Sequence, residues 1–119
     1  AGIMEQWNYA RDQISSYDWF IHFEPRMLLK SFKFFDSFFK KKRTLFKTDG
    51  RNFNTGLFAI NSKALIHFLE LNGPAYLVKN KISIEYLIAD FIIDNKYEYD
   101  HIADLSVVWI TRLLVRIEL

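Results

Sequence analysis

Cysteine is absent from this chain of 119 residues. The absence excludes a disulfide framework, a thiol nucleophile and any zinc site built on cysteine. It also fits a reducing compartment, so a cytoplasmic location is expected. No apolar run approaches the roughly 20 residues that a membrane-spanning helix needs. The net charge of +2 is too small to indicate a nucleic-acid partner, and none is expected.

Glycine and proline are also scarce, with four and two residues respectively. So little turn and linker material predicts one domain over residues 1–119. The familiar catalytic signatures are missing too: there is no phosphate-binding glycine loop, no dinucleotide fingerprint, no H-E-x-x-H motif and no G-x-S-x-G elbow. No single strong motif therefore assigns a function.

Aromatic residues are abundant, with 12 Phe, 6 Tyr and 3 Trp. Each aromatic side chain that becomes buried removes on the order of 150–250 Å² from water. A domain of this length buries roughly two-thirds of the surface that its unfolded chain exposes. The core is therefore expected to be stable without covalent staples.

Hydrophobic periodicity predicts that helices alternate with strands along the chain. The predicted helices cover residues 3–15, 26–42, about 62–71 with Asn61 or Ser62 as the cap, and a segment capped by Ser83. The predicted strands cover residues 18–24, 45–46, 53–60 and 97–102. The apolar tail at 107–119 fits either state. The predicted fold class is a layered α/β domain, with a mixed sheet flanked by amphipathic helices.

Two of the predicted strands carry further detail. Residues 18–24 are largely apolar on both faces, which is typical of a central strand covered on both sides, and Pro25 should end it. Within residues 53–60, Gly56 indicates a bulge or a close approach to another part of the chain.

The first candidate site is the sequence Glu24-Pro25-Arg26. A carboxylate at the C-terminal end of a buried strand lies where open α/β sheets bind ligands. Glu24 would there hold a divalent cation or accept a hydrogen bond from a sugar hydroxyl. Arg26 would make a bidentate contact with a phosphate. The alternative is a solvated glutamate and a solvated arginine.

The second candidate site is the segment at 51–56, in which Asn54, Thr55 and Gly56 follow Arg51, Asn52 and Phe53, and the acids of a later helix are separate candidates. Residues 54–56 would present side-chain and backbone donors to a polar ligand, or they would serve only a turn and a bulge. Glu85 and Asp90 are candidates for a general base. The alternatives are a favourable charge at the helix N-terminus for Glu85 and a solvated helix face for Asp90.

A third candidate site involves a histidine near the end of the chain. His22, His67 and His101 show no metal-ligand spacing. His101 with Asp100 or Asp104 would form a site for a hard cation, and the alternative is a structural or surface histidine.

The predicted second helix combines an aromatic face, from Phe32 to Phe39, with the basic run at 40–43. One interpretation is that this face packs on the domain's own sheet, with the lysines as a solvated end. A second is peripheral contact with an anionic membrane, with phenylalanine in the acyl boundary. A third is nucleic-acid binding through the basic and aromatic groups. A fourth is a homo-oligomer that forms through the same aromatic helix.

Four segments follow one another in a suggestive order: YDWFIHFEP at 17–25, FNTGLFAIN at 53–61, ISIEYL at 82–87 and LSVVW at 105–109. This order resembles the middle and C-terminal part of GT-A-type glycosyltransferases. In that family one strand ends in an acidic motif, a later strand reads like F-N-x-G-x-F-x-I-N, and a helix carries an acidic residue.

The resemblance implies transfer of a sugar from a nucleotide-sugar donor. It implies that Glu24 meets a divalent cation such as Mn²⁺ or Mg²⁺ and the nucleotide diphosphate, with Arg26 nearby. It places residues 54–56 on the acceptor side and makes Glu85 a candidate base.

The chain departs from the family pattern in two ways. The usual D-x-D motif is replaced by Glu24-Pro25-Arg26, which has one acid and one cation. The first half of such a fold, which holds the nucleoside, has no counterpart. Three interpretations stay open: a fragment of a longer glycosyltransferase-like protein, a remnant without transfer activity, or a non-catalytic interaction domain.

Overall fold

A computed structural model describes residues 3–72, 83–110 and 116–118 of the chain. The helices in these ranges are α1 (Ile3–Tyr9), α2 (Arg11–Ser15), α3 (Lys33–Lys41), α4 (Ser62–Leu71) and α5 (Ile84–Asp94). The strands are β1 (Trp19–Phe23), β2 (Met27–Leu29), β3 (Leu45–Phe46), β4 (Thr48–Asp49), β5 (Asn52–Phe53), β6 (Leu57–Asn61), β7 (Asp100–His101), β8 (Val107–Ile110) and β9 (Arg116–Glu118).

The main sheet has the strand order β1-β6-β3-β7. β6 runs antiparallel to both β1 and β3, whereas β3 and β7 run parallel. A second sheet has the order β2-β8-β9, and β4 with β5 forms a hairpin. Helices combined with a mixed sheet confirm the predicted α/β class.

β6 is the strand that the core covers on both faces. Its residues 57–60 are all fully buried. Phe58 and Ile60 belong to one hydrophobic cluster, whereas Leu57 and Ala59 belong to another. Because side chains alternate along a strand, β6 divides the core into two layers.

The two layers draw on different elements. The first joins α1, α4 and α5 to the sheet through Trp7, Phe68 and Ile92, and the rings of Phe46 and Phe58 stack within it at 4.7 Å. The second layer joins α3 to the opposite face and is centred on four larger side chains: Met27, Phe34, Phe38 and Leu105. The aromatic residues therefore build both layers, as their abundance predicts.

The prediction of a central strand at 18–24 is correct for the strand and wrong for its position. β1 pairs with β6 alone among the described strands, so it lies at the edge of the main sheet. All five of its residues are half-buried. Both faces are apolar because each touches one core layer, and this pattern contains no information about a second neighbouring strand.

The prediction of a helix at 26–42 is wrong over its first turns. Met27, Leu28 and Leu29 form β2, which pairs antiparallel with β8. The helix begins at Lys33, whose backbone N–H donates to the Ser31 hydroxyl at 3.3 Å. Pairing with a strand about eighty residues later overrides the local helical periodicity.

Other predicted elements are shorter than expected. The helix at 3–15 divides at Ala10 into α1 and α2. The strand at 53–60 is interrupted at 54–56, and the strand at 97–102 shrinks to two residues because its partner β3 is itself two residues long. In the ambiguous tail, 107–110 and 116–118 are strands, while 111–115 and 119 lie outside the described residues.

Both predicted helix caps are confirmed. The Asn61 side chain accepts hydrogen bonds from the backbone of Lys63 and Ala64, at 3.0 and 3.4 Å. The Ser83 hydroxyl accepts from the backbone N–H of Glu85 at 3.3 Å. α4 ends at Leu71, as predicted, and the sequence Gly73-Pro74, which is typical of a helix stop, lies outside the described residues.

Candidate functional site

Three segments that are far apart in the sequence meet beside the first residues of β6. The carbonyl oxygen of Gly56 accepts a hydrogen bond from the backbone N–H of Glu24 at 2.7 Å. The hydroxyl of Thr55 donates to Oε1 of Glu85 at 3.2 Å. The backbone of Glu24, the turn at 54–56 and the carboxylate of Glu85 are therefore adjacent in the structure.

The Thr55–Glu85 contact lies partly inside the protein. Thr55 is 7% exposed and is one of few buried polar residues among those described. The Ser83 hydroxyl contacts the other carboxylate oxygen of Glu85, so each oxygen accepts one hydroxyl donor. Two hydroxyls from two segments thus fix the orientation of the Glu85 carboxylate.

The turn before β6 is held by its own side chains and leaves little room for a side chain at its last position. Oδ1 of Asn54 accepts from the backbone N–H of Gly56 at 2.8 Å, and this local bond replaces strand pairing. A Cβ atom on Gly56 would collide with the side chain of Met27, only 2.9 Å from its sulfur. The close approach predicted at Gly56 is confirmed.

A polar cleft of about 270 Å³ lies over this contact. The residues that line this polar cleft are Lys47, Thr48, Asp49, Asn52, Asn54, Ser83 and Glu85. Its lining offers an ammonium group, two carboxylates, two amides and two hydroxyls. Such a set donates to and accepts from hydroxyl-rich ligands, and its size is near the lower end of small-molecule sites, roughly 300 Å³.

Glu24 contributes its backbone to this region, whereas its carboxylate faces elsewhere. Oε2 of Glu24 lies 3.9 Å from Nε2 of His22. Burial lowers the pKa of His22 below its usual value, and the nearby Glu24 carboxylate opposes that shift. Arg26 is exposed beyond the end of β1.

A metal site around Glu24 would need more ligands than the described residues supply. Nowhere in ranges 3–72, 83–110 and 116–118 do three His, Asp or Glu side chains come together as a metal-binding group. The described side chains therefore do not form a metal site by themselves.

Asp90 lies on an outer face of α5, where it holds an arginine. Nε and Nη2 of Arg51 donate to Oδ1 of Asp90 at 2.6 Å and to Oδ1 of Asp94 at 2.9 Å. These two hydrogen bonds raise the pKa of Arg51. The ion pairs fasten the β4–β5 turn to α5, which occupies Asp90 away from the polar cleft.

The three residues proposed for a hard-cation site have separate partners. Nδ1 of His101 lies 2.7 Å from the Thr48 hydroxyl. The remaining contacts are those of Asp100 with Arg43 at 3.6 Å, and of Asp104 with Lys33 at 3.5 Å and the backbone N–H of Ser106 at 2.8 Å. The N–H group of Ser106 is the main reason that the pKa of Asp104 is lowered.

The aromatic helix α3 divides its phenylalanines between core and surface. Phe34 and Phe38 are buried in the second core layer, and Phe35 is half-buried. Phe32 and Phe39 are 68% and 60% exposed. No helix in the described part of the chain is long and apolar enough to cross a membrane.

Sequence reasoning missed several residues that line the polar cleft. Thr48 and Asp49 precede Gly50 in a stretch typical of a turn, and Ser83 is predicted only as a helix cap. Asn52 lies in the segment of the second candidate site without a role of its own, and Lys47 carries no local signal. The local hairpin of β4 and β5 groups Thr48, Asp49 and Asn52 beside Asn54, whereas Ser83 and Glu85 reach them only through the tertiary placement of α5.

Comparison of the chain with known proteins finds no matching family model, no matching curated protein and no matching solved structure. The candidate function therefore rests on the geometry described above and on the motif order.

Proposed function

We propose that this chain is the acceptor-side part of a glycosyltransferase-like protein and that its polar cleft binds the hydroxyl groups of a sugar. One observation carries the proposal. The three motifs that resemble GT-A-type enzymes meet through two hydrogen bonds, from Glu24 to Gly56 at 2.7 Å and from Thr55 to Glu85 at 3.2 Å. Two of these motifs line the polar cleft through Asn54 and Glu85, and the third adjoins them through the backbone of Glu24.

The proposed chemistry assigns Glu85 the role of general base. Each of its carboxylate oxygens accepts one hydroxyl from the protein and keeps a second lone pair for a ligand. A base must lie within hydrogen-bond reach of the acceptor hydroxyl whose proton it takes. The amide of Asn54 and the ammonium of Lys47 would bind neighbouring hydroxyls or an anionic donor group.

The donor side of the proposal involves Glu24 and Arg26. The backbone contact with Gly56 keeps them next to the acceptor turn. Arg26 is exposed and free to meet a diphosphate, for which a guanidinium is well suited. A divalent cation such as Mn²⁺ or Mg²⁺ would have to take most of its ligands from the diphosphate and water.

Calorimetric titration with nucleoside diphosphates and nucleotide sugars, with and without Mn²⁺, tests this proposal. We expect binding that weakens in Asn54→Ala and Glu85→Gln. Glu70→Gln is the matched control, because Glu70 is an exposed acid on α4 that does not line the polar cleft. No binding at millimolar ligand, or equal loss in the control, would contradict the proposal for this chain.

A second candidate function is peripheral contact with an anionic membrane surface through α3. The observation that favours it is the pair of exposed phenylalanines, Phe32 and Phe39, beside the exposed lysines 40–42. Exposed aromatic groups flanked by cations match the chemistry of an anionic bilayer interface.

Co-sedimentation with vesicles rich in phosphatidylserine at low salt tests the membrane proposal. We expect binding that falls in a Phe32→Ser, Phe39→Ser variant. Equal binding of wild type and variant would contradict it. Sedimentation of the protein alone separates this function from a homo-oligomer through the same helix, which would depend on protein concentration.

A further inference from the structure

A second cavity, of about 480 Å³, opens at the other end of the main sheet. β3 and β6 run antiparallel, so Thr44 before β3 meets Asn61 at the end of β6, with a hydrogen bond of 3.2 Å. Lys47 and Asn54, which line the polar cleft, meet at the opposite ends of these strands. The two cavities are therefore separate sites.

The second cavity carries an excess of positive charge and is called the cationic cavity below. Its lining includes two aromatic and four charged residues: Trp19, Lys42, Arg43, Lys96, Tyr97 and Glu98. They place three cations against one carboxylate.

The cations of the cationic cavity are available for a ligand. Neither the Lys42 nor the Lys96 ammonium group has a hydrogen-bond or ion-pair partner within the part of the chain that the structure describes. Arg43 lies 3.7 Å from Glu98 and 3.6 Å from Asp100, which is longer than a normal N–H···O hydrogen bond of about 2.9 Å. The Glu98 carboxylate is also highly exposed, so solvent screens that pair.

The two lysines occupy an unusual backbone conformation. Lys42 follows the last residue of α3 with a φ of 52°, and Lys96 follows α5 with a φ of 56°. Helices commonly end in this left-handed conformation, but glycine is the usual residue there. Two different helices thus end in a strained lysine, and both lysines line the same cavity. Strained residues of this kind concentrate at functional sites.

Two aromatic side chains form fixed walls of the cationic cavity. Trp19 packs edge-on against Phe38, with 5.4 Å between the ring centroids. Tyr97 stacks on Phe91 at 5.4 Å, and its hydroxyl lies 2.7 Å from Nδ1 of His67. Walls held in this way are preorganised to contact the face of a ligand ring.

We propose that the cationic cavity binds a ring-bearing phosphomonoester, such as a hexose phosphate or a nucleoside monophosphate. A phosphomonoester carries a charge of about −1.5 to −2 at neutral pH, which the two unpaired ammonium groups of Lys42 and Lys96 balance. The ring lies against Trp19 and Tyr97. The volume falls within the range of small-molecule sites, roughly 300–1,000 Å³. This proposal does not depend on the function proposed for the polar cleft.

Titration of the whole chain with four probes tests the ligand class: a hexose 6-phosphate, adenosine 5′-monophosphate, the unphosphorylated hexose and inorganic phosphate. Amide and indole NMR shifts locate the binding. We expect both phosphomonoesters to shift the NMR signals of Trp19 and Lys96. We also expect them to bind about tenfold or more tightly than the unphosphorylated hexose or inorganic phosphate. The phosphomonoester that binds more tightly shows whether the cavity prefers a hexose ring or an adenosine.

The probe experiment overturns the proposal in three cases. No binding of either phosphomonoester at millimolar concentration overturns it, as do shifts confined to Asn54 and Glu85. Inorganic phosphate that binds as tightly as both phosphomonoesters overturns the role of the aromatic walls.

A double variant, Lys42→Gly with Lys96→Gly, tests the residues. Glycine suits the left-handed conformation, so we expect a melting temperature that is unchanged or higher, and affinity that falls about tenfold or more. Lys40→Gln with Lys41→Gln removes the same charge from α3 outside the cationic cavity and should keep most of the affinity. An unchanged affinity in the glycine variant, or an equal loss in the glutamine control, overturns the proposal.

Discussion

The two ends of the main sheet differ in whether key polar and charged side chains have partners within the protein. At the polar cleft, the side chains of Asn54, Thr55 and Glu85 are hydrogen-bonded to the protein itself. At the cationic cavity, Lys42 and Lys96 have no such partners in the described ranges, and their backbones are strained. These three side chains at one end have partners within the protein, whereas the two lysines at the other end leave charge unpaired.

This difference separates stability from ligand binding. Removing a satisfied polar group leaves its partner unpaired, so changes at the polar cleft should destabilise the fold. Removing a strained, unpaired lysine relieves a cost, so changes at the cationic cavity should leave the fold intact or stabilise it. Variants at the two ends are therefore expected to differ in the sign of their effect on unfolding.

The largest effect is expected at Gly56. Gly56→Ala adds a methyl group that collides with the buried side chain of Met27, which should lower the free energy of unfolding by up to about 3 kcal/mol. Gly50→Ala is the control, because a Cβ there meets nothing within 4 Å and only the φ of +61° opposes it. Urea unfolding measures both. An equal loss in the two variants would contradict the steric explanation.

A smaller loss is expected when the contact between Thr55 and Glu85 is removed. Thr55→Val keeps the shape and deletes the hydroxyl, which should cost about 1 kcal/mol because a half-buried carboxylate loses one of its donors. Thr55→Ser keeps the hydroxyl and should cost less. Urea unfolding compares them, and a serine variant that is less stable than the valine variant would show that packing, rather than the hydrogen bond, matters.

At the cationic cavity the expected sign reverses. Lys42→Gly relieves a left-handed backbone, which costs a non-glycine residue about 1 kcal/mol, so stability should stay equal or rise by a few tenths. Lys40→Gly, two residues earlier within α3, should instead lower the free energy of unfolding by about 1 kcal/mol. Thermal unfolding distinguishes the two, and a loss of similar size in both would remove the argument from backbone strain.

The mildest test concerns His22, which lies on β1 between the two ends. Burial lowers its pKa in the folded state below the usual 6.5, so the unfolded chain binds a proton more readily. The free energy of unfolding should therefore fall as the pH decreases through 6.5 and level off below the folded-state pKa. In His22→Phe this fall should be reduced. An identical pH profile in the variant would exclude His22 as its origin.

Several local features of the fold were predictable from the sequence. The caps at Asn61 and Ser83, the tight position of Gly56 and the strand at β1 all follow from short-range patterns. The start of α3 was not predictable, because residues 27–29 have a helical pattern and become a strand only through pairing with β8. The edge position of β1 depends equally on pairing.

The candidate sites divide in the same way. Motif order predicted that Asn54, Thr55 and Glu85 belong to one site, and the hydrogen bond between the last two brings them together. For the cationic cavity the sequence shows only the basic run at 40–43, which includes Lys42 and Arg43, and nothing local connects that run with Lys96. Lys42 and Lys96 become neighbours only because α3 and α5 both end beside Trp19.

By itself, the sequence determined that the chain forms an aromatic core without covalent staples and alternates helices with strands. Those properties depend on composition and on contacts within a few residues. Tertiary structure alone decided which strand is central, which phenylalanines of α3 are buried and where unpaired charge gathers. These outcomes depend on pairing between distant segments. The free energy of that pairing cannot be derived from a local sequence pattern.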